Sequence, residues 1–286
     1  MTSRSLLSTL ALATAVTACG PREQTRSPTP PEPIDATVVV HASRMLDVET
    51  GEYVADVAIA IRGDRIVHVG PRGSVRAATS ARVVELGNVV VMPGLIDAHV
   101  HLALGGNAND AAAKTLHAGF TTVRDLGSTS GAAIALRDAI NAGKVPGPRM
   151  VVAGAGIGAP GGACDGVFAG EGRVTSAAEA TRIVDAQAAA GVDVIKICTG
   201  GGVLPRAADI DVVELDAAMV KVIVDAAARH KLRVAAHAEG PKAIAAACID
   251  RARWFDRDRE RRRHARARHH ARADAVPHRL HAGPAR

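Results

Sequence analysis

Aromatic residues make up only 2% of this 286-residue chain: one Trp, one Tyr and three Phe. A core with so few large rings has to be assembled from Ala, Val, Ile and Leu. Hydrophobic residues reach 48%, enough for one large domain or a barrel with an appended piece. Cysteine is scarce as well. The spacing of Cys19, Cys164, Cys198 and Cys248 matches no CxxC zinc site and no dense disulfide framework. Positive charge is lacking in most of the chain. From Arg251 onward there are 12 arginines against 4 acids, while the 250 residues before carry 23 basic and 25 acidic groups. The formal net charge of +6 therefore belongs to the tail, and the body is close to neutral.

The apolar stretch Leu6–Val16 is too short to span a bilayer. With Arg4 before it and Val16-Thr17-Ala18-Cys19-Gly20 after it, residues 1–19 read as an export signal that resembles a bacterial lipobox. The resemblance implies lipidation at Cys19, hence a periplasmic or membrane-anchored lipoprotein. Residues 20–35 contain Pro21, Pro28, Pro30, Pro31 and Pro33, and such a segment is an extended linker that packs no core.

Residues 36–92 are rich in β-branched runs separated by turn signals. Strands are expected at Thr37–His41, Val54–Ile61, Arg65–Val69 and Arg82–Leu86, with a hairpin at Gly63-Asp64. A small N-terminal β-sandwich is the expected arrangement, with His41 and His68 as structural or surface residues. From Pro93 the pattern changes. Short apolar strands at Leu95–Leu102, Thr121–Leu126, Arg149–Gly154, Val192–Ile197 and Arg233–Ala238 alternate with helical stretches at Asp110–Ala118, Gly131–Ala142, Ser176–Ala190 and Glu214–His230. Ser176 and Glu179 have the spacing of a capping box. This alternation predicts an α/β fold with a parallel sheet, and a Rossmann-type sheet and a (β/α)8 barrel both fit it. Gly154-Ala155-Gly156-Ile157-Gly158-Ala159 formally matches a dinucleotide-binding loop, but Pro160-Gly161-Gly162 follows where a helix would have to open. A flexible loop over a barrel mouth is expected there, with Asp165 able to reach a substrate.

The chemistry gathers at strand ends. Val91-Met92-Pro93-Gly94-Leu95-Ile96-Asp97-Ala98-His99-Val100-His101-Leu102 carries two histidines at i and i+2, which a strand points to one side, as two ligands of one metal ion require. Lys196 sits between isoleucines in Val194-Ile195-Lys196-Ile197-Cys198-Thr199-Gly200-Gly201-Gly202, where burial favours its neutral amine. Cys198 reads as a small buried apolar residue. His237 ends the fifth strand, in Val234-Ala235-Ala236-His237-Ala238-Glu239-Gly240.

These segments resemble the amidohydrolase superfamily over residues 36–250, nearest its branch of Xaa-Pro or Xaa-basic dipeptidases and imidazolonepropionase-like hydrolases. The resemblance implies a (β/α)8 barrel, here a partial one over residues 93–250, and hydrolysis of an amide or other C–N bond in a dipeptide or similar small molecule. It implies two divalent ions, Zn2+ by donor type, with His99 and His101 on one, His237 on the other, and a carboxylated Lys196 bridging both. In such relatives a sixth-strand histidine and a later general-base aspartate complete the site. Neither is found here. Residues 251–286 are instead an Arg-rich tail without apolar periodicity, of the kind that stays disordered. Read one base later, the codons for its Arg-Trp-Phe-Asp-Arg can spell Gly-Ser-Ile-Glu, so a frameshift product is expected. Nucleic-acid binding through the tail conflicts with the export signal. The alternative to an enzyme is a non-catalytic remnant of an exported amidohydrolase.

Overall fold

The structure, a computed structural model, describes residues 33–202 and 211–248. The signal, Cys19, nearly all of the linker and the Arg-rich tail lie outside the described residues. The chain divides into two compact units at Pro93/Gly94.

The first unit is built of strands β1 (Pro33–Ile34), β2 (Val38–Leu46), β3 (Tyr53–Arg62), β4 (Arg65–Pro71), β5 (Arg76–Ala77), β6 (Arg82–Glu85) and β7 (Val90–Val91). The five-stranded sheet runs β4-β3-β2-β6, with β7 also on β2, and β1 pairs β5 in a second, two-stranded sheet. Gly63, at φ +57°, and Asp64 make the tight turn that sets Arg62 opposite Arg65, as expected for a two-residue hairpin. β2 pairs antiparallel with β3 but parallel with β6 and β7, which no local turn signal announced. Ala36, Val39, Ala58 and Ala60 form the buried core, backed by Ile34, Val75, Ala77 and Ala81. His41 pairs with Glu85 at 2.7 Å, and His68 contacts the Ser74 hydroxyl at 3.2 Å, so both are structural.

The second unit alternates strands and helices: β8 (Leu95–Val100), α1 (Ala108–His117), β9 (Phe120–Asp125), α2 (Ala132–Asn141), β10 (Arg149–Val152), α3 (Ala163–Val167), α4 (Ala177–Ala189), β11 (Val194–Cys198), α5 (Ala217–Arg229), β12 (Arg233–His237) and α6 (Pro241–Ala247). Among the described residues, β8 to β12 pair only in parallel, and an isolated antiparallel bridge joins Gly200 to Val213. β8, β9 and β10 form one ladder and β11 with β12 another, and parallel bridges Ala153–Val194 and Ile157–Ile197 join them. Neighbours in space are therefore neighbours in sequence. A doubly wound Rossmann sheet reverses its strand order, and among the described residues no reversal occurs.

Helices α1, α4 and α5 begin where a side chain accepts free N–H groups of the first turn. Asn107 caps α1, Ser176 caps α4 and Asp216 caps α5. The capping box forms in part: Ser176 accepts from Glu179 N, but the Glu179 carboxylate accepts from Thr175 N and Thr175 Oγ1 rather than closing back on Ser176.

The Gly154–Ala159 stretch is the clearest departure from expectation. It is a buried segment rather than a flexible loop, because Ile157 N donates to Lys196 O and Cys198 N to Ile157 O, which extends the sheet. Gly156 is required for close packing, since a Cβ there would lie 2.5 Å from the Phe168 ring. Asp165 makes a two-point contact with Arg173 at 2.9 and 3.1 Å and also accepts from Gly161 N, so it serves the local structure.

β11 is buried along its whole length, as a parallel strand covered on both faces must be. Its side chains alternate. Ile195 and Ile197 pack with Ile183 and Val184 of α4 and Ile223 and Val224 of α5. Lys196 and Cys198 are thereby turned to the opposite face.

Candidate functional site

One cavity of about 420 Å3 is lined by His99, His101, Lys196 and His237, with Leu104, Val167, Phe168, Cys198 and Glu239 among its other walls. The four expected site residues come from three strands and meet here. His99 is in β8 and His101 directly follows it, and their ring centroids are 5.3 Å apart. Lys196 lies at the centre of β11, not at its end as the sequence led one to expect. His237 closes β12, opposite Cys198 in the ladder.

Backbone carbonyls orient two of the imidazoles. His101 Nδ1 is 2.9 Å from Gly127 O, and His237 Nε2 is 3.1 Å from Gly201 O. A carbonyl oxygen only accepts, so these nitrogens carry the ring protons. The lone pairs then reside on His101 Nε2 and His237 Nδ1, and fixing the tautomer in this way is what a ligating histidine needs. The supports behind the rings are equally specific. Thr199 is buried, and both its N and its Oγ1 donate to His237 O at 2.9 Å, tying the ends of β11 and β12 together. A Cβ on Gly202 would stand 2.7 Å from His237 Nε2, so glycine leaves the room the ring uses.

Asp125, at the end of β9, is fully buried and was not singled out in the sequence. Its carboxylate accepts from Leu102 N at 2.8 Å and Gly127 N at 3.1 Å, and it thereby shapes the turn after β8 that carries His101. Burial pushes its pKa up, and the backbone N–H donors act against that. The sequence signal was present in Asp125-Leu126-Gly127, a carboxylate at a strand end beside a glycine.

Burial and neighbouring positive groups lower both Lys196 and His99. Burial, followed by the charge of Arg124, pulls Lys196 down to about 8. His99 is also held low, first by burial and then by the positive charges of Lys196, His101, Arg124 and His237. Neutral imidazole and neutral amine are the forms that serve as ligand and as nucleophile toward carbon dioxide. Among the described residues, no group of three His, Cys, Asp or Glu side chains is gathered so as to hold a metal ion by itself.

Cys198 departs from its expected role. It is bonded to Cys164 of α3 in a disulfide that spans 34 residues of sequence. Spacing along the chain could not reveal this, because the two cysteines meet only when α3 is laid across β11.

Comparison with known proteins shows what the chain is similar to. Over 69 residues the chain is 45% identical to an imidazolonepropionase of Pseudomonas entomophila, covering 23% of this chain and 16% of that protein. An ochratoxinase of Aspergillus niger is 28% identical over 260 residues, covering 74% of this chain and 52% of the relative. Among solved structures, a Xaa-Pro dipeptidase with bound methionine in its active site superposes with a TM-score of 0.67 at 30% identity, over 73% of this chain and 58% of that one. The chain thus spans little more than half the length of its broader relatives. A family model described as Amidohydrolase family matches residues 90–276, running past Asp250 into the Arg-rich stretch. With the greater part of its length inside that match, and with a mixed α/β fold shared with amidohydrolase structures, the chain belongs to the amidohydrolase family.

Proposed function

We propose that the cavity is a metal-dependent site for hydrolysis of C–N bonds in dipeptide-like small molecules. The supporting observation is the convergence of His99, His101, Lys196 and His237, from three separate strands of one parallel array, on a single cavity. The donors fit a divalent ion provided Lys196 contributes an anion. Its buried amine has a pKa near 8 and no carboxylate among the groups that shift it, so carboxylation would replace a group that repels a cation when protonated with an anion that attracts one. His99 and His101 would hold one ion, His237 a second, and carboxylated Lys196 both, with zinc suited to the donor types. When bound, such ions supply a hydroxide at neutral pH and polarise the substrate carbonyl. The protein's own part is to fix the tautomers of His101 and His237 through Gly127 O and Gly201 O, and to shield the reaction behind Leu104, Val167 and Phe168.

In the same reading, β8 to β12 with their helices are a sector of a (β/α)8 barrel. The first unit is a small β-sandwich, since residues of β1 and β5 back the core of the five-stranded sheet. The protein is exported and anchored through Cys19. A second reading, a remnant that binds metal without turnover, is favoured by the sequence after His237, in which neither the sixth-strand histidine nor the general-base aspartate of the resembled pattern is found. One experiment separates the two. The full chain is loaded with zinc and bicarbonate, its metal content is measured, and a dipeptide library is assayed. Metal binding with turnover, both lost in His99→Ala and Lys196→Ala, establishes the enzyme. Metal binding without turnover establishes the remnant, and no metal binding refutes both.

A further inference from the structure

We propose that the Cys164–Cys198 disulfide is a positioning clamp: it holds Phe168 against the His101 imidazole and so makes the site competent only in its oxidised state. The inference rests on the reading of His101 as a ligand. α3 has five residues, too few to be stable alone, so its place depends on its ties. Two of these lie toward the surface. The half-buried Glu214 carboxylate accepts from Ala163 N at 2.8 and 3.0 Å, and Asp165 pairs with Arg173. The third tie is the disulfide, which is buried, with Cys164 1% and Cys198 5% exposed.

The bridge joins α3 to the strand that carries Lys196. Cys198 is two residues beyond Lys196 and so on the same side of β11, and its partner in the ladder is His237. Cys164 is one helical turn before Phe168, so the two share a side of the helix. Phe168 is 2% exposed, and its ring centroid lies 6.1 Å from that of His101. Glycines make the seat for this ring. A Cβ on Gly127 would come within 2.6 Å of the Phe168 ring, and one on Gly156 within 2.5 Å of the ring and 2.6 Å of Cys164 Sγ. Gly127 is also the residue whose carbonyl orients His101. His101 is thus gripped by a carbonyl at one nitrogen and by an aromatic ring at its side, and the ring is fixed by the disulfide.

Cys198 lines the cavity, so a small dithiol can reach its sulfur from the site itself. Attack by the reductant thiolate breaks the Sγ–Sγ bond and forms a mixed disulfide. Closure of the reductant on itself releases the second protein thiol. Two electrons and two protons pass to Cys164 and Cys198, and the reductant leaves as a disulfide. α3 then loses its covalent tie to β11, and Phe168 is held beside His101 only by packing in its glycine seat and by the outer ties of α3.

The test uses the full chain in four forms: oxidised wild type, the Cys164→Ala/Cys198→Ala double variant, Phe168→Ala and Phe168→Tyr. The double variant removes the bridge without creating thiols that would themselves bind metal. Zinc affinity is measured by competition with a chelating dye. Hydrogen exchange over residues 160–172 is followed in the metal-free protein. Loss of a partner that orients a ligating histidine lowers metal affinity about 10–100-fold, and this is expected for the double variant and for Phe168→Ala, with Phe168→Tyr within about threefold of wild type. Faster exchange over residues 160–172 is expected in the double variant alone or together with Phe168→Ala. A double variant that matches oxidised wild type in zinc affinity overturns the proposal, as does a mass spectrum showing free thiols at Cys164 and Cys198 in oxidised protein. If His101→Ala keeps wild-type zinc affinity, the reading of His101 as a ligand fails. The exchange data then still decide whether the bridge holds α3.

Discussion

Lys196→Met should stabilise the metal-free protein at neutral pH and abolish a specific part of its pH dependence. Lys196 is 3% exposed, and burial brings its pKa from 10.5 to about 8, with Arg124 adding repulsion. Below pH 8 the folded chain has to hold a buried ammonium group. Between about 8 and 10.5 the unfolded chain keeps a proton that the folded chain has released, so stability rises with pH across that window. Above 10.5 neither form is protonated and the penalty is gone. The gap of about 2.5 pKa units, at about 1.36 kcal/mol each, amounts to about 3 kcal/mol. Methionine keeps the apolar stem and drops the charge, so the variant should gain up to about 3 kcal/mol at pH 7 and converge on wild type near pH 11. The assay is urea unfolding from pH 7 to 11, with chelator present and carbon dioxide excluded, so that neither metal nor carboxylation supplies a partner. Parallel stability curves, or a variant less stable than wild type at pH 7, would show that Lys196 is not held as an uncompensated buried amine.

Asp125→Ala should lose about 1–3 kcal/mol for each backbone donor left buried without an acceptor, Leu102 N and Gly127 N, which a thermal melt would register. Ser176→Ala removes the cap of α4 and should lower stability by about 1 kcal/mol in urea, leaving zinc affinity unchanged. Gly127→Ala should destabilise more than either, because φ is +139° there and the new Cβ would meet the Phe168 ring; a melting point equal to wild type would contradict the packing described. Metabolic labelling with a palmitate analogue should mark the exported protein and fail to mark Cys19→Ala, and an unlabelled wild type recovered from the cytoplasm would refute the lipid anchor.

Sequence pattern alone placed the five strands and the four longer helices of the second unit's described residues within a few residues of where they lie, and missed the short α3 and α6. Parallel strands announce themselves locally as short apolar runs, and amphipathic helices through apolar residues at intervals of 3.6. The histidine pair after Pro93-Gly94 was legible for the same reason, since i and i+2 on a strand share a side whatever the rest of the chain does. Lys196 and His237 were legible as candidates, because a lysine among isoleucines and a histidine at a strand end are local anomalies. Their meeting in one cavity followed only from the family resemblance, because it depends on strand order, and periodicity alone was compatible with two orders. What only the tertiary structure decided involves contacts between residues far apart in the chain. Ile157 pairing with Ile197 turned an apparent glycine loop into part of the sheet. Cys164 and Cys198, separated by 34 residues, became a bridge once α3 lay across β11. Asp125 emerged as the support of the turn carrying His101 only because β8 and β9 lie side by side, bringing Leu102 N to its carboxylate. Local propensity is written residue by residue, whereas register, burial and the partner of a buried polar group belong to chain segments that meet only in the fold.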